Sequence, residues 1–169
     1  MKKRSVRLLA AMLCLGTTAG LNAQTTLWHD PLKADRPVVQ GQADDPRLAG
    51  TFDRLSEAEC EPLRPALRSL STNSAGLALH FYTDSPQIFV RYGVSGAYAM
   101  THMPATGASG VDLYSIDDHG AWHYRRPDFN WSFSDTVRYS FTPITDERYP
   151  GRGYEYRLYL PLYNRVEWM

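Results

Sequence analysis

Short runs in which apolar and polar residues alternate are the feature of this sequence that most restricts its fold. One run places Leu77, Leu79 and Phe81 on one face, and others cover 88–92, 111–116, 121–124, 137–141 and 154–162. A period of two is typical of β-strands with one buried face. Turn-forming residues separate the runs about every ten residues, a spacing that predicts an all-β antiparallel sandwich or jelly roll.

The turns between these runs predict which strands pair. Asp84-Ser85-Pro86 separates two runs, so residues 77–92 are expected to form a β-hairpin. Residues 117–120 likewise turn the strand over 111–116 into the strand over 121–124. In the last long run, Tyr154, Tyr156, Leu158, Leu160 and Leu162 are expected to share a face, with Glu155 and Arg157 pointing away. Val166 and Trp168 continue the alternation after a turn.

Helical signals are sparse. Residues 24–53 are rich in Asp, Pro and Gly and predict an extended segment lying over the domain. Ser56 and Glu59 have the spacing of a capping box, so a short helical turn is expected there. Pro62 and Pro65 are expected to end it, and no other segment has a sustained helical period. A parallel α/β arrangement therefore lacks the helices it needs.

The N-terminus has the pattern of a secretory signal peptide over residues 1–23. Basic residues precede an apolar stretch from Leu8 to about Leu21, and Ala23 precedes the expected cleavage point. The stretch is too diluted by small and polar residues for a membrane span, and Leu13 before Cys14 does not fit lipidation. We therefore expect an exported, periplasmic or extracellular protein with one domain over residues 24–169 and no stable membrane span after cleavage.

The expected mature chain is mildly acidic, with fourteen basic and eighteen acidic residues. This balance provides no basic surface for nucleic acid. Of the two cysteines, only Cys60 follows the expected cleavage point, so no intramolecular disulfide is expected and stability must come from the core.

No complete hydrolytic or metal site is visible in the sequence. Ser95 and Ser109 lie in Gly/Ser runs that do not complete a nucleophile elbow, which also needs a strand feeding a helix. His119 and His123 are four residues apart, but Gly120 places them on a hairpin rather than on one helical face. We therefore expect no catalytic residue, no metal and no cofactor.

The loop from His102 to Ser109 and the strand after it are the strongest candidates for ligand contact. Loops on a rigid scaffold present side chains to ligands, and the contact candidates are His102, Thr106, Ser109, Asp112 and Tyr114. An alternative is that Asp112 only pins its own backbone. Aromatic residues near turns are candidates for stacking against sugars, with Trp122, Tyr124 and Trp131 as the better exposed ones, although most aromatic residues of a sandwich belong to its core.

The segment Gly110-Val111-Asp112-Leu113-Tyr114, with His102 to Gly107 before it, resembles the GxDLY-type N-terminal domain of bacterial SGNH (GDSL-like) hydrolases. Supporting matches are Ser74 to Leu77, Thr83 to Pro86 and Tyr156 to Tyr163. The resemblance covers residues from about Trp28 to Asn164. It implies a β-sandwich packed beside an SGNH catalytic domain as its partner, in esterases that remove acyl groups, above all acetyl groups, from glycans.

The resemblance also shows what this chain lacks. A catalytic domain would bring Gly-Asp-Ser and a late Asp-x-x-His, and neither is present. Relatives continue beyond the position where this chain stops, and Arg165 occupies a turn position that would suit Gly at positive φ. These features predict a truncated chain, with the sandwich missing its last strand or strands.

Three hypotheses follow from the sequence. The chain is a non-catalytic accessory domain, inactive alone, whose His102 to Ser109 loop covers one wall of a neighbouring active site. Alternatively it is a stand-alone glycan-binding module, or a remnant that folds poorly.

Overall fold

The protein is a sandwich of two antiparallel β-sheets. The structure, a computed structural model, describes residues 25–117, 119–142 and 155–169. One sheet has five strands and the other has three. The all-β sandwich predicted from the alternating runs is confirmed.

The strands follow the alternating runs closely. They are β1 (Val39–Gln40), β2 (Ala78–Tyr82), β3 (Ile88–Val94), β4 (Asp112–Ile116), β5 (Trp122–Arg125), β6 (Val137–Phe141), β7 (Glu155–Tyr159) and β8 (Val166–Trp168). The five-stranded sheet has the order β1-β2-β7-β4-β5, and the three-stranded sheet has the order β6-β3-β8. The helices are short: α1 (Glu57–Cys60), α2 (Pro65–Ser71), α3 (Ala105–Ala108) and two single 3₁₀ turns, Pro31–Lys33 and Pro46–Leu48.

The core lies between the two sheets. Leu79, Leu113 and Leu158 project into it from the five-stranded sheet, while Tyr92 and Phe141 meet them from the three-stranded sheet. Because side chains alternate across a strand, the opposite side of the five-stranded sheet carries a second row of residues, which we call the outer face. Large aromatic and charged side chains occupy it.

The predicted hairpin over residues 77–92 is wrong. β2 pairs with β1 and β7, whereas β3 pairs with β6 and β8, so the chain crosses from one sheet to the other after Tyr82. A buried strand has the same alternation whether its partner is next in sequence or distant, so the pattern could not separate the two cases. The second predicted hairpin is correct, because β4 pairs with β5 from Leu113↔Arg125 to Ile116↔Trp122.

Two predictions about helices had opposite outcomes. The capping box at Ser56 is present, with Ser56 N–H donating to Glu59 Oε2 at 2.8 Å. Pro65, expected to end helical structure, instead begins the seven-residue helix α2. Proline is well accommodated at the first helical position, where its missing N–H would have no partner in any case.

The last long strand is shorter than predicted. Tyr156, Leu158 and Leu160 are buried as expected, but β7 ends at Tyr159 and Leu162 is 53% exposed. Tyr154 lies outside the described residues. Arg165 does not adopt positive φ, since only glycines do so among the residues that the structure describes. Its guanidinium instead donates to Asp53 at 2.9 Å.

Residues 25–53 lie over the sandwich with no helix longer than a single 3₁₀ turn, as predicted for this extended segment. Within this segment Leu48 and Phe52 are buried, and β1 adds two residues to the edge of the five-stranded sheet. Cys60 is partly buried, with its Sγ 3.2 Å from Ser71 Oγ. The predicted signal peptide lies outside the described residues. Across the parts of the chain described, the helices are too short or too polar to cross a bilayer.

Candidate functional site

A groove of about 560 Å³ opens between α3 and the outer face of the five-stranded sheet. Thr106, Gly107 and Gly110 form its wall on the α3 side. The sheet contributes Asp112, Tyr114, Trp122 and Tyr159, and the remaining lining residues are Gly76, Leu160 and Leu162. Four of the predicted contact residues therefore lie together: Thr106, Asp112, Tyr114 and Trp122.

The strand that begins after Gly110 divides its side chains between core and groove. Val111 and Leu113 are buried in the core, whereas Asp112 and Tyr114 project to the outer face. Gly110 is required by close approach, because a Cβ there would clash with the Thr106 carbonyl and would lie 2.6 Å from the Tyr139 hydroxyl. The glycine therefore lets α3 lie directly against the strand.

Tyr114 is the centre of an aromatic cluster, which we define as Tyr114, Trp122, Tyr124 and Tyr159. Its ring centroid lies 6.1 Å from that of Trp122, 5.5 Å from that of Tyr124 and 5.8 Å from that of Tyr159. All three contacts are edge-to-face, the arrangement that the ring quadrupole favours. Trp122 and Tyr124 remain 43% and 52% exposed. The cluster thus forms a fixed aromatic surface at the groove.

Arg157 supports this surface from the neighbouring strand. It lies opposite Tyr114 in the pairing of β4 with β7, and its guanidinium carbon is 4.5 Å from the centre of the Trp122 ring. A guanidinium over an indole face gains from cation–π attraction. Its Nε is buried and has no hydrogen-bond partner among the described residues. One face of Trp122 is therefore already covered by a positive charge.

The Asp112 carboxylate is uncompensated. Within the described ranges, no residue donates a hydrogen bond to it and no cation pairs with it. Partial desolvation raises the pKa of Asp112 above its ordinary value. Its charge also contributes, after desolvation, to raising the pKa of Tyr124 and that of Tyr139, the latter to about 12. An acceptor left without donors at the mouth of a groove is a place where a ligand gains hydrogen bonds.

Ser109 does not line the groove. It is fully buried, and its hydroxyl donates to the Tyr98 carbonyl at 2.8 Å while accepting from Asn164 Nδ2 at 2.9 Å. Its own carbonyl accepts from the Tyr92 hydroxyl at 2.6 Å. The expectation of a ligand contact at Ser109 is therefore corrected to a structural role, which fastens the loop after Met103 to the core.

His102 and Trp131 lie away from the groove. His102 is exposed in a turn closed by two hydrogen bonds between Met100 and Met103, at 2.9 and 3.1 Å. Trp131 is partly buried against the core, stacked on Tyr139 with centroids 6.4 Å apart. Its contacts fit the alternative that many aromatic residues of a sandwich serve packing.

The histidines of the β4–β5 hairpin do not converge. His123 Nε2 lies 2.8 Å from Asp117 Oδ2, whereas His119 is exposed. The pKa of Asp117 is lowered to about 2, mainly by the hydrogen bond from His123 and secondly by hydrogen bonds from backbone N–H groups. In the described parts of the chain, no group of three or more His, Cys, Asp or Glu side chains is placed to hold a metal ion.

The sequence predictions missed the contributions of Gly76, Tyr159, Leu160 and Leu162 to the groove. Tyr159 alternates in step with Glu155 and Arg157, whose side chains the sequence pattern places on the face away from the core. This alternation was the signal that could have placed Tyr159 on the same face as Asp112, its partner in the pairing of β4 with β7. Gly76 carried no such signal, because it precedes β2, and the alternation placed Leu160 and Leu162 on the buried face instead.

Comparison with known proteins agrees with this architecture. A family model, described as GxDLY, the N-terminus of SGNH hydrolase-type esterases, matches residues 26–169. The fold is similar to that of a Bacteroides ovatus ATCC 8483 protein assigned as a GDSL-like lipase, with a TM-score of 0.60 and 27% identity. The match covers 77% of this chain and 36% of that protein. A search of curated proteins found no match.

The family match extends from the extended N-terminal segment through β8 and includes every residue that lines the groove. The GxDLY motif, residues 110–114, coincides with the start of β4, where side chains point alternately to the core and to the groove. The chain therefore belongs to the GxDLY family of domains that form the N-terminus of SGNH hydrolase-type esterases.

Proposed function

We propose that this domain is the non-catalytic accessory domain of an exported SGNH esterase that deacetylates carbohydrate. Its role is to form one wall of the active site in the catalytic domain beside it. The outer face carries this proposal, because Trp122 and Tyr124 are 43% and 52% exposed there and both contact Tyr114 at the groove. Contiguous exposed apolar surface of this kind marks an interaction site.

The remaining parts of the proposal have separate support. Residues 1–23 have the composition of a secretory signal, which agrees with an exported enzyme. The chain contains no Gly-Asp-Ser and no Asp-x-x-His, so a catalytic nucleophile and base must come from the partner domain. The chain spans 36% of the similar Bacteroides protein, which leaves room in that protein for a further domain.

The test supplies this chain to an SGNH catalytic domain from which its own GxDLY domain has been removed. We expect the chain alone to hydrolyse neither p-nitrophenyl acetate nor an acetylated oligosaccharide. Added to the catalytic domain, it should raise kcat/KM on both. The double variant Trp122→Ala/Tyr124→Ala should lose most of this gain, and Phe129→Ala, an exposed ring away from the groove, should keep it. Hydrolysis by the chain alone, or a catalytic domain indifferent to it, contradicts the proposal.

A second candidate is a glycan-binding module that needs no catalytic partner. The exposure of Trp122 and Tyr124 also favours this function, because aromatic rings stack on the apolar faces of sugars. Binding to a glycan without any effect on the catalytic domain would identify this case.

A further inference from the structure

Two side chains that line the groove, Asp112 and Thr106, have no hydrogen-bond partner among the described residues. From the sheet, the Asp112 carboxylate has no donor among the described residues. From α3, the exposed Thr106 side chain also lines the groove, and no residue of the described ranges bonds its hydroxyl. An ionised carboxylate only accepts, whereas a hydroxyl both donates and accepts. A ligand that bonds both groups must therefore offer hydrogen-bond donors to Asp112 and either a donor or an acceptor to Thr106.

Charges of both signs lie around the groove, so neither a simple cation nor a simple anion suits both of them. A cation would pair with Asp112, but the guanidinium of Arg157 lies 4.5 Å from the centre of the Trp122 ring. A second positive charge on that ring would be repelled. A simple anion would be attracted by Arg157 and repelled by Asp112, which lies on the adjacent strand of the same outer face. A neutral molecule that carries several hydroxyl groups tolerates both charges.

The shape and lining of the groove fit a ring-shaped ligand. Its volume of about 560 Å³ lies within the range of roughly 300–1,000 Å³ that is typical of small-molecule sites. Gly107 and Gly110 have no side chains, so the wall at α3 presents backbone atoms to a ligand at these two positions. Trp122 and Tyr159 supply apolar ring surface on the other side.

From these observations we infer that the groove is a saccharide subsite. A pyranose lies against Trp122, two of its hydroxyls donate to the Asp112 carboxylate, and a third hydroxyl meets Thr106. This inference rests on the carbohydrate substrate of the proposed function and names the residues that hold it. Asp112 and Trp122 are thereby binding residues, and the catalytic groups belong to the partner domain.

The test measures binding to the purified chain directly. Calorimetry with cello-, xylo-, manno- and chito-hexaose should detect at least one neutral oligosaccharide that binds. Asp112→Asn, nearly identical in shape, should weaken that binding about tenfold or more because hydrogen bonds to a charged acceptor are the stronger ones. Trp122→Ala should weaken it comparably. Asp135→Asn and Phe129→Ala remove an exposed carboxylate and an exposed ring elsewhere, and they should change the Kd less than twofold.

Three outcomes overturn the inference: none of the four oligosaccharides binds, Asp112→Asn binds as the wild type does, or arginine methyl ester binds at Asp112 more tightly than any sugar. Circular dichroism of each variant confirms that loss of binding is not loss of folding. Because this test uses no catalytic domain, it separates the two proposals. Rescue of the catalytic domain on p-nitrophenyl acetate without sugar binding would leave the proposed function standing and remove the subsite. Sugar binding without rescue would support the subsite and contradict the role of the domain in the active site of its catalytic partner.

Discussion

The side-chain amide of Asn164 donates a hydrogen bond of 2.9 Å to the hydroxyl oxygen of Ser109, and both residues are buried. Asn164 also accepts from Gly96 N–H at 2.8 Å and donates to the Ala97 carbonyl at 3.0 Å. A single side chain between β7 and β8 thus joins the chain just after β3 to the chain just after α3. The wall of the groove depends on a residue that never contacts it.

Replacing Asn164 with Ala should therefore destabilise the fold and loosen the groove together. We expect a loss of about 2 kcal/mol, because the variant leaves the Ser109 hydroxyl without its donor and opens a small cavity. Urea unfolding measures this loss. Asn73→Ala, at a partly exposed position, should cost less than about 0.5 kcal/mol. Equal stability of the two variants would show that the buried network does not hold the loop.

Gly110→Ala should be more disruptive than Gly107→Ala. The added methyl group at position 110 meets the Thr106 carbonyl and the Tyr139 hydroxyl, neither of which can move freely. At position 107 it meets the flexible Met103 side chain, 2.9 Å away at Cγ. We expect Gly110→Ala to lose about 2 kcal/mol, as overpacked sites do, and Gly107→Ala to lose clearly less. Thermal unfolding of both variants measures the two losses, and equal losses would show that α3 does not pack tightly against β4 at Gly110.

Asp112→Asn should stabilise the protein at neutral pH. Partial desolvation raises the pKa of Asp112 in the folded state, so its ionisation opposes folding and stability falls as the pH rises through that raised pKa. The amide avoids this cost, and we expect Tm to rise by about 1 to 2 °C at pH 7, the scale of a surface substitution. The gain should vanish at a pH where the carboxyl is protonated in both states. A lower Tm for Asp112→Asn at pH 7 would mean that the carboxylate has a donor.

The His123–Asp117 pair should have the opposite pH dependence. The pKa of Asp117 is lowered to about 2, first by the hydrogen bond from His123, so its stabilising contribution is complete above the ordinary aspartate pKa. It is lost as the pH falls towards 2. Asp117→Asn should thus lower Tm at pH 7, and the difference from the wild type should shrink between pH 4 and pH 2. Asp84→Asn, an exposed position, serves as the control, and a constant difference would contradict the assignment.

The sequence predicted the local parts of the fold better than the long-range parts. The β4–β5 hairpin could be predicted because its turn residues and both strands lie within about fifteen residues. The hairpin over 77–92 was wrong because the partner of β2 is β7, some seventy residues away, and alternation does not encode the partner. Pro65 was misjudged because proline ends one helix and begins another with the same local signal.

The same distinction applies to the groove. Asp112, Tyr114 and Trp122 could be predicted because they lie on one hairpin with a known alternation. Tyr159 required knowledge of the distant pairing with β7. Ser109 was assigned to the surface because a small polar residue in a loop gives the same sequence signal whether it is exposed or buried. Its burial follows from Asn164 and Tyr92, which come from other elements of the fold.

The division of side chains along β4 makes the domain attractive as an engineering scaffold. Val111, immediately before β4, and Leu113 are buried in the core, while Asp112 and Tyr114 line the groove. Residues in the core and residues in the groove therefore alternate along positions 111–114. A library randomised at Asp112, Tyr114, Trp122 and Thr106 would therefore sample new ligand specificities without altering the hydrophobic core on which folding depends.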